Sequence, residues 1–181
     1  MDNFKSTIVE YALLDDNNLK IAYETHKAFN DILRQITINT LSKLKMRLQD
    51  KLSSDFILPE VFESGRLTFH IKNKTWPYDI SFGLNEFDDN DKACFGIGTA
   101  DPVIYQLAEF VNLEIQGKVT GFGWWARLIP MYNRWSDSAD GLIAVHNSTH
   151  FLDYTELHIM KLSTILEQFF KRNNTDSLLT K

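Results

Sequence analysis

The chain has 181 residues, 44% of them hydrophobic, which suits one compact domain (1–175, with a polar tail at 176–181) and leaves little room for a second. Nineteen Lys and Arg stand against 24 Asp and Glu, a net charge of −5, so a general electrostatic grip on nucleic acid or on an anionic membrane is disfavoured. A single cysteine, Cys94, excludes an internal disulfide, Met1-Asp2-Asn3-Phe4-Lys5 lacks the layout of a signal peptide, and no run approaches the roughly 18 apolar residues of a membrane span, so a cytoplasmic protein is expected.

Residues Lys5 to Leu14 group Ile8, Tyr11, Ala12 and Leu14 on one side and predict a short helix, ended by Asp15-Asp16-Asn17-Asn18, a cluster that also caps the next helix. From Leu19 to about Leu52 there is neither Gly nor Pro, and apolar residues recur at 22, 29, 33, 36, 41, 44, 48 and 52, close to helical spacing. One long helix is expected. The β-branched group Ile36-Thr37-Ile38 with Thr40 marks where a kink near Asn39 would fall. Ser53 to Ser64 contains Pro59 and reads as a connection, with Phe56, Ile57, Val61 and Phe62 tucked against the core.

Gly65 to Gly98 predicts a three-stranded antiparallel meander, because apolar residues alternate in Arg66–Lys72, Tyr78–Asn85 and Ala93–Ile97. Period two gives one buried face, made of Leu67, Phe69, Ile71, Tyr78, Ile80, Phe82, Leu84, Ala93, Phe95 and Ile97. The opposite side carries Gly83, Cys94, Gly96 and Gly98 and is shallow, so that the Trp-rich segment downstream either lies over it or leaves it open for docking. The first turn, Asn73–Pro77, is stiffened by proline. The second, Glu86–Asp91, is acidic but lacks the Gly and Glu of a calcium loop and is a solvated turn.

Asp101 and Pro102 open a helix through about Phe110 or Leu113, stopped by Gly117, with a strand over Phe110–Ile115 as the alternative. Val119 to Pro130 predicts an irregular strand. Ser136-Asp137-Ser138 starts a short helix to about Val145, and a last helix runs from Tyr154 to Arg172 with Leu157, Met160, Leu162, Ile165, Leu166 and Phe169 along its apolar stripe. The fold expected is α+β: a small antiparallel sheet packed on one long N-terminal helix and several shorter C-terminal ones.

Signatures of nucleotide binding and hydrolysis are missing, and no cofactor is expected. Gly96-Ile97-Gly98 lacks the third glycine of a dinucleotide loop, where Asp101 stands instead. His146, His150 and His158, with Asp153 and Glu156, are the densest set of potential metal ligands. The i,i+4 pair His146 and His150 encloses Asn147-Ser148-Thr149, which has no general-base Glu and favours a turn, so no metal is assigned. Alternation places His70, Asp79, Ser81 and Cys94 on one side of the meander, the residue types of a Cys-His-Asp nucleophilic site, although Cys94 is more simply a small strand residue. Trp124, Trp125, Arg127, Tyr132, Arg134 and Trp135 are the candidate binding surface, because Trp, Tyr and Arg dominate interface hot spots and stack on single-stranded bases. The competing role for these aromatics is that of core anchors with the arginines covering the rings.

The order of parts, with Lys74-Thr75-Trp76-Pro77-Tyr78-Asp79-Ile80-Ser81-Phe82-Gly83, then Phe95-Gly96-Ile97, Trp124-Trp125 and Tyr132-Asn133-Arg134-Trp135, resembles the C-terminal accessory half of some bacterial PD-(D/E)XK nuclease-superfamily proteins over about residues 20–170. In that superfamily carboxylates and a lysine hold a divalent metal for phosphodiester cleavage. No lysine of this chain has Asp or Glu two positions before it, so the resemblance implies recognition without cleavage. The expectation is a non-enzymatic binding or regulatory domain contacting another macromolecule, with a protein favoured over nucleic acid as partner. A small acidic inhibitor of the immunity-protein type, or a phage-borne antagonist of a defence system, is a narrower member of that class consistent with size and charge. The alternatives are a metal or cysteine enzyme and a nucleic-acid-binding accessory domain.

Overall fold

The computed structural model describes residues 2–60, 67–87, 92–121, 123–146 and 148–179. The acidic turn at 88–91, with its calcium reading, and the connection at 61–66, with Val61 and Phe62, lie outside the described residues. Two helices open the chain, α1 (Asp2–Ala12) and α2 (Asp16–Gln49). Asp15 caps α2 by accepting a hydrogen bond from the Asn18 N–H at 2.8 Å. The helix continues unbroken through Ile36-Thr37-Ile38, because Ile36, Thr37 and Thr40 are buried and tertiary packing outweighs their low propensity. Its C-terminal part packs against the two last helices, burying Leu41, Leu44 and Leu48.

Six strands make one antiparallel sheet: β1 (Phe56–Ile57), β2 (Phe69–Asn73), β3 (Ser81–Phe87), β4 (Lys92–Gly98), β5 (Lys118–Thr120) and β6 (Gly123–Arg127), in the order β1-β2-β3-β4-β6-β5. The expected meander is its centre. The short edge strand β1, and the β5–β6 hairpin that α3 (Val103–Asn112) carries back to pair with β4, extend it beyond the expected three strands. The segment Phe110–Ile115 is thus not a strand, since α3 continues to Asn112. Asp101 accepts from the Val103 N–H at 2.9 Å and fixes the start of α3.

Register converts alternation into rows that run straight across the sheet. Phe69, Leu84, Phe95 and Ala126 form one row, and Ile71, Phe82, Ile97, Trp124 and Val119 another; both are on the core face. Nine of the ten residues expected on that face are buried; Tyr78 is the exception at 39% exposure, because it falls in the turn ahead of β3. The last helix, α6 (Thr149–Leu179), packs on this face, with His158 stacked on Phe95 (4.8 Å, 3°) and Phe170 against Trp76 (5.1 Å). It continues past Arg172, the end expected from the sequence, to Leu179, and it turns Leu157 to solvent at 66% exposure, off the apolar stripe assigned to it.

The outer rows are His70, Gly83, Gly96, Trp125 and Lys118, and beside them Asn85, Cys94 and Arg127. A Cβ at Gly96 or Gly123 would stand 1.8 or 2.3 Å from atoms of the Trp125 six-membered ring, so the indole lies across both glycines. Gly83 answers a stricter demand: its φ is +140°, and a Cβ there would meet the Phe69 carbonyl oxygen at 2.1 Å. The obstacle is backbone and cannot rotate away. Gly83→Ala is therefore expected to destabilise the protein by about 2–4 kcal/mol. Urea unfolding of the two proteins checks this, and a loss below about 0.5 kcal/mol would contradict the geometry.

Candidate functional site

The six residues expected to form one binding surface are divided by the sheet. Consecutive strand residues point to opposite faces, so Trp124 enters the core while Trp125 lies on the outer face, half-buried. Trp124 is closed in completely, its Nε1 donating to Asn112 Oδ1 at 3.0 Å; the same oxygen accepts from the Gly117 N–H at 3.0 Å. Tyr132, on the four-residue helix α4 (Pro130–Asn133), and Trp135, at the start of the 3-10 turn Trp135–Asp137, are also in the core. Gly141 of α5 (Ala139–His146) permits this approach, since a Cβ there would lie 2.5 Å from the Trp135 carbonyl oxygen. Trp124, Tyr132 and Trp135 are therefore core anchors, and the single exposed aromatic patch expected from the sequence is not formed. Arg127 and Arg134 are exposed, and Arg134 lies 3.7 Å from Asp137.

The three histidines are also dispersed. α5 ends at His146 and α6 begins at Thr149, so His146 and His150 occupy different helices and lose the i,i+4 geometry of a metal pair. His150 Nδ1 pairs with the Tyr132 hydroxyl at 2.5 Å, and His158 Nδ1 meets the Tyr154 carbonyl oxygen at 2.8 Å. Among the described residues no group of three His, Cys, Asp or Glu is placed to hold a metal ion. Cys94 and His70 lie on β4 and β2 with β3 between them, about two strand spacings of ~4.8 Å apart. The buried Cys94 thiol donates to the Asn85 carbonyl oxygen at 3.3 Å, and Asp79 pairs with Lys72 at 2.7 Å, so the three are not arranged as a nucleophilic triad.

The strongest electrostatic feature joins α2 to α6. Glu156 accepts from Arg47 Nε at 2.6 Å and from Lys51 Nζ, and Arg47 also reaches Asp153. Burial resists ionisation of Glu156, but the bonds from Lys51 and Arg47 outweigh it and hold the carboxyl below its ordinary range. His70 shifts for a simpler reason: burial lowers its affinity for a proton, only partly offset by its hydrogen bond with Asn85.

The surface that sequence reasoning missed is the arm formed by α1 and the first half of α2. No residue of α2 before Ile36 is buried. Ile8, Val9, Tyr11, Leu13, Leu14, Leu19, Ile21, Tyr23, Phe29 and Ile32 are all exposed, with Leu14 at 70%. A signal was present in Leu19, Ile21 and Tyr23, which at about 100° per residue lie on more than one side of the helix, as a helix covered from a single direction does not require. No helix among the described residues is long and apolar enough to cross a membrane.

Comparison with protein-family models, with curated proteins and with solved structures gives no match to this chain.

His70 and Glu156 give stability two acid limbs. His70 binds a proton more weakly when folded, so stability begins to fall as pH drops through the unfolded value near 6.5. Glu156 is depressed when folded, so its contribution is complete above about 4.5 and is lost as pH falls through the lower, folded value. Chemical denaturation across pH 3–8 (roughly the span of both groups) should show both windows, His70→Gln removing the upper one. Glu156→Gln should flatten the lower one and cost about 1–2 kcal/mol at neutral pH, less than a fully buried pair because Arg47 and Lys51 keep access to water.

Proposed function

We propose that this chain is a non-enzymatic binding or regulatory domain that contacts another macromolecule, a protein, and that the α1–α2 arm is its docking element. The carrying observation is the set of ten exposed large apolar side chains between Ile8 and Ile32. Together they leave on the order of 1,000 Å² in water, spread over more than one side of the two helices and not one contiguous patch. Apolar surface of this extent favours a protein that presents an apolar helical or grooved face, and it offers little to a polyanion, whose recognition rests on Lys and Arg. The body, by contrast, keeps its aromatics inside, with Trp124, Tyr132 and Trp135 serving the core.

The resemblance to the accessory half of nuclease-superfamily proteins is consistent with a recognition role, as is the acidic charge with an inhibitor acting on a protein. Both remain part of this proposal.

The test is capture of a partner followed by titration of the purified pair. Ile21→Glu with Ile32→Glu alters two exposed positions, so folding should change by no more than about 0.5 kcal/mol at each. Affinity for the purified partner is expected to fall at least about tenfold, or ~1.4 kcal/mol. Binding that survives this double substitution and is lost with Trp125→Ala, Arg127→Ala or Arg134→Ala would overturn the assignment.

A further inference from the structure

We infer that the outer face of the sheet binds single-stranded nucleic acid, one base stacking on the indole of Trp125 while Lys118 and Arg127 hold the phosphates on either side of it. The site is independent of the arm, from which it differs in ligand, residues and test.

The ring is the first support. A Cβ at Gly96 would stand 1.8 Å from Cε3 of Trp125 and a Cβ at Gly123 would stand 2.3 Å from Cζ2. These two atoms lie on opposite sides of the six-membered ring, so the indole rests flat on the sheet. Its Nε1 donates to the Thr120 carbonyl oxygen at 3.4 Å, which fixes the ring edge. With one face against backbone, the other is turned away from the sheet, and the residue keeps partial exposure. Helices α3 and α6 pack on the opposite face, through Asn112 at Trp124 and His158 on Phe95. The outer face therefore needs no further cover to be stable: it is a rigid platform of the kind on which bases stack, since every base presents a π-face.

Charge is the second. The register sets Lys118 of β5 directly beside Trp125, and alternation sets Arg127 on the same face two residues along β6, about 5 Å and about 7 Å away between Cα atoms. Both side chains are exposed, and among the described residues neither is held in an ion pair. Lys72, on the other side of the sheet, is by contrast engaged by Asp79. The chain has 24 Asp and Glu, yet no strand position that the register turns to the outer face is either. An acidic chain thus places two uncommitted cations beside the one indole of that face.

The pairing of ring and cations selects the ligand. An acidic peptide would use Lys118 and Arg127 and leave the indole idle; a neutral sugar would use the indole and leave the cations idle. A duplex offers phosphates but keeps its base faces stacked inside. A single strand offers an unstacked base and flanking phosphates together, which is what a flat ring between two cations recognises.

Fluorescence anisotropy of a labelled oligouridine of roughly twelve nucleotides, a length within the span of one small domain, tests this on the full chain, with a duplex of equal length beside it. The single strand is expected to bind and to quench tryptophan emission. Trp125→Ala should raise its dissociation constant at least about tenfold, with part of the affinity restored in Trp125→Phe, which keeps a ring. Lys118→Ala with Arg127→Ala should weaken binding by a similar factor and flatten the dependence of log Kd on log salt by about 1.4, the loss of two phosphate contacts on a single strand. The double variant removes exposed groups outside the core, so it tests the site even if Trp125→Ala loosens the sheet. Absence of binding by the full chain, or binding that both sets of substitutions leave within about twofold, overturns the inference. So does a duplex bound as tightly as the single strand and weakened by the same variants, because phosphates alone would then be recognised.

Discussion

A helix longer than the core beneath it leaves part of its apolar surface uncovered within one chain, and α2 is such a helix. Its 34 residues span about 51 Å, while its buried residues begin only at Ile36. The half beyond the core is not held by helix propensity alone, since its mixed sequence would be marginal as a peptide. It inherits order from the anchored half, because extending an existing helix costs far less than nucleating one. The anchoring of α2 on α5 and α6, through Leu41, Leu44 and Leu48 and the bonds from Arg47 and Lys51 to Glu156, therefore supports both the domain and the arm.

The sheet depends on a different constraint, the strict alternation of faces. Trp124 and Trp125 are neighbours in sequence with opposite fates: one fills the core opposite Ile97, the other lies across Gly96 and Gly123. The glycines that make the outer side shallow are thus largely explained by the indole above them and by the backbone at Gly83. The outer face is closer to a finished surface than to an open dock. Apolar area without a cover is concentrated instead on the arm, at the far end of α2 from the Trp-rich segment.

The meander was legible because period two is a local property: each of Phe69, Ile71, Phe82, Leu84, Phe95 and Ile97 announces its face through its neighbours. The long helix was legible for the same reason, and the β-branched group at its middle misled only about a kink. The β5–β6 hairpin was partly hidden, because Gly121, Gly123 and the paired tryptophans break the alternation that would have marked two short strands. The candidate surface failed on a more general ground. Trp and Tyr are favoured at hot spots and in cores for one physical reason, large apolar area with a polar handle, and residue type alone does not separate Trp125 from Trp124 or Trp135.

The arm was hidden by the reverse ambiguity. Helical periodicity says that a helix has an apolar side and says nothing of what lies against it, so Ala22 and Phe29 read the same as Leu41, Leu44 and Leu48. Only the end of the core, a property of the tertiary structure, distinguishes the two halves. On the docking role proposed for the arm, burial of the first half would depend on the concentration of its partner. The domain core is complete without it, with Leu44, Leu48, Phe151 and Leu166 closed off within one chain. With the arm in the docking role proposed for it, folding of the body and engagement of the arm are separable events.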